Sequence, residues 1–306
     1  MNIPHSSRHS GKGGTLFDYM QQVIDQLKQL GKVRTSETYT ATLKSFKNYR
    51  NGDDLPLRAI TSDQMLLYEA HLRRRGVCPN TISFYMRILR AVYNRAVERG
   101  LTPQRYPFRH VYTGVDKTIK RAIFISTIKA LTELDLSRHS SLAFARDLFL
   151  LSFYTRGMSF IDMAYLRKSD LKHGILTYRR RKTGQQLTIR WDKCMAEILS
   201  HYPECQTDYL LPILKRDSDE RRQYDNALHL VNHHLKQLSE MLHLQRPLSM
   251  YVARHSWASA AKAHNIPLSV ISEGMGHDSE ATTRIYLASL ETTVIDEANK
   301  KILDLL

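Results

Sequence analysis

Leu16, Tyr19, Met20, Val23, Ile24, Leu27 and Leu30 recur at intervals of three and four residues, the spacing that gathers apolar side chains on one face of an α-helix. Thr15 and Asp18, just ahead, are spaced as an N-cap and its N3 acid. A second helix is expected after Thr35 and Ser36, with Tyr39, Leu43, Phe46 and Tyr49 on one face. The Asn51-Gly52-Asp53-Asp54 cluster and Pro56 end it. A third is expected from about Thr61 to Arg75, stopped by Gly76. The segment NTISFYMRILRAVYNRAVERG then turns Ile82, Leu89, Val92 and Ala96 inward and stops at Gly100.

Periodicity is lost over residues 102–121, which hold two prolines and a string of cations. Helices are expected near Ser126 to Leu134 and Ser141 to Tyr154. In GILTYRRRKTGQQLTIRW, apolar and polar residues alternate on both sides of Thr183-Gly184, which predicts a β-hairpin. Helical spacing resumes at Asp225 to Leu242, Tyr251 to His264, Pro267 to Glu273, and from Ser279 onward. The expected plan is a polar, basic arm over 1–14, a four-helix domain over 15–102, a linker over 103–121, and a mostly α domain with one small sheet over 122–306, with a helical tail from about 287.

The chain has 306 residues, 42% of them hydrophobic, enough to bury a real core. Forty-five Lys and Arg face 30 Asp and Glu, a net charge of +15 that draws polyanions, either nucleic acid or an acidic membrane. No apolar run approaches the roughly 20 residues that span a bilayer, and no apolar stretch follows the N-terminal charges, so neither membrane insertion nor secretion is expected. Cys78, Cys194 and Cys205 lack the C-x-x-C spacing of a zinc site and suit a reduced cytoplasm.

Taken singly, the candidate chemical residues of the second domain are ordinary. Together they are not: Lys182-Thr183-Gly184 in the hairpin, Arg254-His255-Ser256-Trp257-Ala258 on one helix, Gly274-Met275-Gly276-His277 at a turn, and Thr282-Thr283-Arg284-Ile285-Tyr286 on the next helix. In this order they resemble the tyrosine recombinases of the phage integrase family. The resemblance extends over SETYTATLKSF and the fourth helix, which look like the family's core-binding domain. It implies a mainly α fold: an N-terminal four-helix, SAM-like core-binding domain, then an α-rich catalytic domain with a small antiparallel β-sheet, the DNA breaking-rejoining enzyme fold.

For the site, the resemblance implies that Tyr286, nine residues after His277, is the nucleophile that forms a 3′-phosphotyrosyl link, with no metal, nucleotide or other cofactor. A phenol with a reference pKa of about 10 needs cations nearby to lose its proton. Arg254 matches the family's second catalytic arginine, whose fork suits two phosphate oxygens. Lys182 is placed as the general acid for the leaving 5′-oxygen. Strand alternation puts it on one face with Arg180 and Tyr178, which makes Arg180 its substitute. His277 would donate a hydrogen bond to the scissile phosphate.

Two positions depart from the family pattern. Tyr251 stands where a histidine normally precedes the second arginine by three. Ser159 stands where the first catalytic arginine belongs, and Arg156, read as one helical turn earlier on the same face, is the expected replacement. Asp162 and Asp170 are read as buried acids that hold the helix and the arginines. On the fourth helix, Arg87, Arg90, Arg95 and Arg99 are expected near a major groove.

The implied activity is site-specific recombination for integration, excision or inversion, on double-stranded DNA in a bacterial cytoplasm and nucleoid. A tetramer would form on paired sites through a tail bearing Ile295, Ile302 and Leu306, with an accessory DNA-bending protein as a possible further partner. The short arm before Thr15 leaves no room for a folded arm-binding domain, which favours a simpler recombinase. The alternatives are a catalytically impaired DNA-binding protein and a type IB topoisomerase-like relaxing enzyme.

Overall fold

The computed structural model describes residues 14–116, 122–277, 279–287 and 303, with the backbone alone at Ile285 and Tyr286. The chain divides into two compact units, Met1–Thr118 and Ile119–Leu306.

The first unit contains α1 (Leu16–Gln29), α2 (Val33–Tyr49), α3 (Ser62–Arg74) and α4 (Pro79–Glu98). The predicted stripe of α1 is buried from Leu16 to Leu27, while Leu30 lies past the helix end and is exposed. At the core Phe46 meets Phe17 and Tyr68 edge-on, with ring centroids 6.1 and 4.8 Å apart. The start of α1 differs from expectation. Thr15 occupies the cap position, but its hydroxyl makes no cap. The Asp54 carboxylate instead accepts Phe17 N at 3.0 and 3.2 Å, and Leu55 O accepts Leu16 N at 2.9 Å. A carboxylate there satisfies orphan donors and opposes the positive end of the helix dipole. The acid comes from the cluster that ends α2, a pairing across 37 residues. In α3 the cap is local: Thr61 and Gln64 form a reciprocal box.

The stretch after Gly100 is irregular yet packed. Phe108 and Val111 are buried in this unit's core, and Pro103 O accepts Tyr93 OηH at 2.8 Å. Lost periodicity marks the absence of regular structure, which is compatible with burial.

The second unit contains α5 (Ile125–Glu133), α6 (Ser140–Tyr154), α7 (Phe160–Ala164), β1 (Leu171–Lys172), β2 (Ile175–Arg179), β3 (Gln186–Arg190), α8 (Lys193–Ser200), α9 (Glu220–Met241), α10 (Met250–Ala263), α11 (Leu268–Met275) and α12 (Glu280–Leu287). The hairpin gains a third antiparallel strand, in order β1-β2-β3, with Leu176 opposite Ile189 and Tyr178 opposite Leu187. These four side chains face the core. Helix α6 is apolar on most sides because it is wrapped by α5, α8, α9 and α10. Helices α7 and α8 and strand β1 are too short to show a period. The tail beyond Leu287 lies outside the described residues, apart from Leu303.

Candidate active site

Arg254 lies mid-way along α10 and is only 6% exposed. Its Nη1 donates to Gly157 O at 2.7 Å and its Nη2 to Met275 O at 2.8 Å; Nη2 also lies 2.9 Å from His277 Nε2. A guanidinium can only donate, so Nε2 accepts. The His277 proton therefore sits on Nδ1, which donates to Thr283 Oγ1 at 2.7 Å on α12. One buried cation thus joins the turn after α6, the end of α11 and the histidine that leads into α12.

Two glycines permit this convergence. A Cβ at Gly157, whose φ is +74°, would fall 2.8 Å from Arg254 Cα and push α10 away. Gly276, at φ +64°, closes α11, with its own N–H and that of His277 returning to Glu273 O and Ser272 O. A Cβ there would meet Arg180 Cδ at 2.6 Å.

Arg180 is buried at the base of the hairpin turn. Its Nη1 donates to Gly276 O, and its Nε lies 3.8 Å from Asp162 Oδ2. Asp162, at the start of α7, also accepts the Ser159 hydroxyl at 2.6 Å and Arg181 N at 2.9 Å. Ser159, expected at the position of the family's first arginine, thus presents a hydroxyl tied to this carboxylate, and the carboxylate serves Arg180. Asp162 fits its expected role as a buried holder. Asp170 does not: it is half-buried and accepts only Arg167 N of its own turn, at 2.8 Å, among its described hydrogen bonds.

Two readings based on local periodicity need correction. Strand β2 ends at Arg179, and the turn over 180–185 closes through Arg180 N to Gln185 O and Gly184 N to Arg180 O. Tyr178 and Arg180 share the buried face, whereas Lys182 stands exposed at the tip. Likewise, α6 stops at Tyr154 and α7 starts after Ser159, so Arg156 and Ser159 share no helical face. Arg156 has a left-handed φ of +60°, and its Cδ lies 3.6 Å from the Cβ position of Gly274.

The Tyr178 phenol reports the local field. Burial pushes its pKa far above the ordinary value and the Asp162 charge adds to this, while Arg180, Arg254 and Arg156 all pull it down. Three guanidinium groups therefore act on one point beside one carboxylate, a cluster suited to an anion. Tyr251, on the first turn of α10, is 60% exposed and meets His255 edge-on at 4.4 Å. Tyr286 lies on the last turn of α12, and its side chain is outside the described set. Among the described residues no group of three or more His, Cys, Asp or Glu side chains is placed to hold a metal ion.

In the first unit Arg87, Arg90 and Arg95 on α4 and Arg99, the residue that caps its C-terminus, are all exposed. Arg90 lines a cavity of about 370 Å³ with Asn94, Gln104, Tyr106 and Arg109, and Arg99 lies over the Tyr19 ring at 5.9 Å. Arg87 donates to the backbone carbonyls of Thr113 and Gly114.

Residues 15–111 match the phage integrase SAM-like domain and residues 127–292 match the phage integrase family. The chain belongs to the phage integrase family. The tyrosine recombinase XerD of Halalkalibacterium halodurans is 24% identical over 279 residues, covering 86% of this chain and 89% of XerD. Lambda integrase, solved as a tetramer bound to a Holliday junction, superposes with a TM-score of 0.70 at 15% identity, covering 90% of this chain and 78% of that one. The Tn1549 transposon integrase, solved with transposon right end DNA, gives 0.66 at 12% identity, covering 89% and 94%. These likenesses show the same two-part fold, SAM-like and catalytic. Membership in the family makes this phage integrase homologue a tyrosine recombinase, with site-specific DNA recombination as its function, and favours neither alternative. Among the described residues no helix is long and apolar enough to cross a membrane.

The sequence reading missed Thr283, which orients the histidine from six residues away, and the structural role of Arg180. Alternation along β2 carries the second signal, since it puts Arg180 on the face of Tyr178. Nothing local marks the first.

Proposed function

We propose that this integrase cleaves and rejoins DNA through Tyr286, without metal or nucleotide, within a tetramer on paired sites, to integrate, excise or invert a mobile DNA segment in a bacterial cytoplasm. The observation that carries this reading is the Arg254 bridge, which ties a buried guanidinium to His277 and, through Thr283, to the helix of Tyr286.

The phenolate oxygen of Tyr286 attacks phosphorus, the 5′-oxygen leaves opposite it, and Lys182 at the hairpin tip gives that oxygen a proton. Attack by a 5′-hydroxyl of another strand reverses the step and returns the proton to the site. Arg254, Arg156 and His277 hold the nonbridging oxygens, where charge grows in the transition state. In the DNA-free chain His277 Nε2 is an acceptor. To donate to phosphate Nε2 must carry the proton, which the other tautomer supplies when the Thr283 hydroxyl donates to Nδ1.

The test is a covalent trap. Wild-type protein incubated with nicked duplexes from the DNA flanking its gene, in chelator and without ATP, is expected to give a protein-linked DNA band on a denaturing gel. Steep salt-dependent binding with no such band, also on a pool from the rest of the genome, would reject the reading.

Arg156 is the proposed substitute for the arginine that Ser159 lacks. Arg156→Ala is expected to lower cleavage roughly 100-fold, the size of losing one preorganised charge donor, and adding Ser159→Arg should recover part of it. Cleavage by Arg156→Ala within threefold of wild type would remove it from the site.

A further inference from the structure

The peptide groups from Tyr112 to Asp116, in the segment expected to be the linker, are held by side chains of α3 and α4. Tyr112 N donates to Glu69 Oε2 at 2.7 Å, and Glu69 is itself gripped by Arg73 at 2.7 and 2.9 Å. Thr113 O accepts from Arg87 Nε and Nη2 at 3.0 and 2.8 Å; Gly114 O accepts from Arg87 Nη2 at 2.9 Å and Ser83 Oγ at 2.6 Å. Asn80 and Asp116 close a reciprocal pair, Asn80 Nδ2 to Asp116 O at 3.0 Å and Asp116 N to Asn80 Oδ1 at 2.8 Å. A Cβ at Gly114 would fall 2.8 Å from the Tyr112 ring.

An irregular segment with no strand or helix partner must place its backbone polar groups elsewhere, and here three residues on one face of α4 take them. In the other unit, Ile123 N donates to Ser256 Oγ at 3.0 Å. Ser256 is buried on α10, two residues after Arg254. The connection between the units is thus bonded at one end to α4 and at the other to the helix of the buried arginine.

We propose that Asn80, Ser83 and Arg87 are positioning residues for strand cleavage: they fix the point from which the chain leaves α4, so that the tether to the catalytic unit starts after Asp116 instead of after Tyr112, where the core and Glu69 hold the chain without them. A shorter tether restricts where the second unit can be delivered once the first has bound. Arg87 then acts on the chain's own carbonyls rather than on phosphate. The proposal rests on the recombinase reading above.

The test uses the full chain. Arg87→Ala and Asn80→Ala are expected to bind DNA within about threefold of wild type and with the same salt slope, yet to form at least tenfold less covalent product at saturating protein. The Tyr112 and Asp116 amides should exchange faster by a similar factor. Arg87→Lys should stay defective, because one ammonium does not reproduce a fork on two carbonyls. Four residues inserted after Thr118 should reproduce the cleavage loss with the clamp intact, which separates positioning from damage to the fold.

A salt slope lowered by about one in Arg87→Ala, restored by Lys, would make Arg87 a phosphate contact and overturn the proposal. Unchanged cleavage in Asn80→Ala or in the insertion would overturn it as well. A wild-type protein that binds DNA and never forms covalent product would instead sink the recombinase reading, and the exchange rates would still decide whether the clamp exists.

Discussion

Tyr286→Phe is expected to bind its DNA with wild-type affinity and salt dependence and to form no covalent product, a loss of more than about 10⁴-fold that reaches the floor of any gel assay. The change removes one oxygen. In the proposed mechanism that oxygen is the whole of the nucleophile, so no rearrangement of the cations can replace it. The natural competitor is Tyr178, the phenol on which Arg156, Arg180 and Arg254 all act. Its pKa is raised by burial and by Asp162 despite those cations, so it stays protonated at neutral pH. Tyr178→Phe is therefore expected to keep the covalent product that Tyr286→Phe loses. The reverse pattern would move the nucleophile to strand β2 and discard the assignment of α12.

The residues that carry this chemistry were legible as a set because each sits in a motif whose order is unusual, while their geometry was legible only where it follows from a period. The stripe of α1 and the hairpin alternation gave correct faces for Met20, Leu176 and Tyr178. The same alternation failed at Lys182, because the strand ends before it and the turn has no period to extend. Helical spacing failed at Arg156 for a matching reason: the left-handed conformations of Arg156 and Gly157 break the helix that the spacing assumed. Most of the contacts that join separate elements at the site and the tether are long in sequence. Arg254 with Gly157 spans 97 residues, Ile123 with Ser256 spans 133, and Asp54 caps a helix 37 residues upstream. Such pairs leave no local trace, and the basic segment after Gly100 read as a linker because nothing in it announces Glu69 or Arg87.

Arg254→Lys is expected to lower cleavage by roughly 10³-fold or more while the protein still folds and binds DNA. The wild-type fork serves Gly157 O, Met275 O and His277 Nε2 from two nitrogens on a fixed plane. A lysine keeps the charge but offers one compact ammonium, which can satisfy some of those acceptors and cannot also hold two phosphate oxygens in line. Losing the bidentate grip removes charge stabilisation where the transition state needs it, and one such donor is worth about 10²- to 10³-fold. Losing the His277 contact leaves the imidazole held by Thr283 alone, so the second group on the phosphate is less firmly placed too. The two effects act on the same transition state and are expected to be non-additive, which a cycle with His277→Ala measures. Arg254→Ala differs in kind: it leaves Gly157 O and Met275 O buried without partners at about 1–3 kcal/mol each, so it should also lower the melting temperature. A lysine variant that cleaves within tenfold of wild type would show that charge alone suffices, and would assign the arginine fork to holding α6, α10 and α11 together.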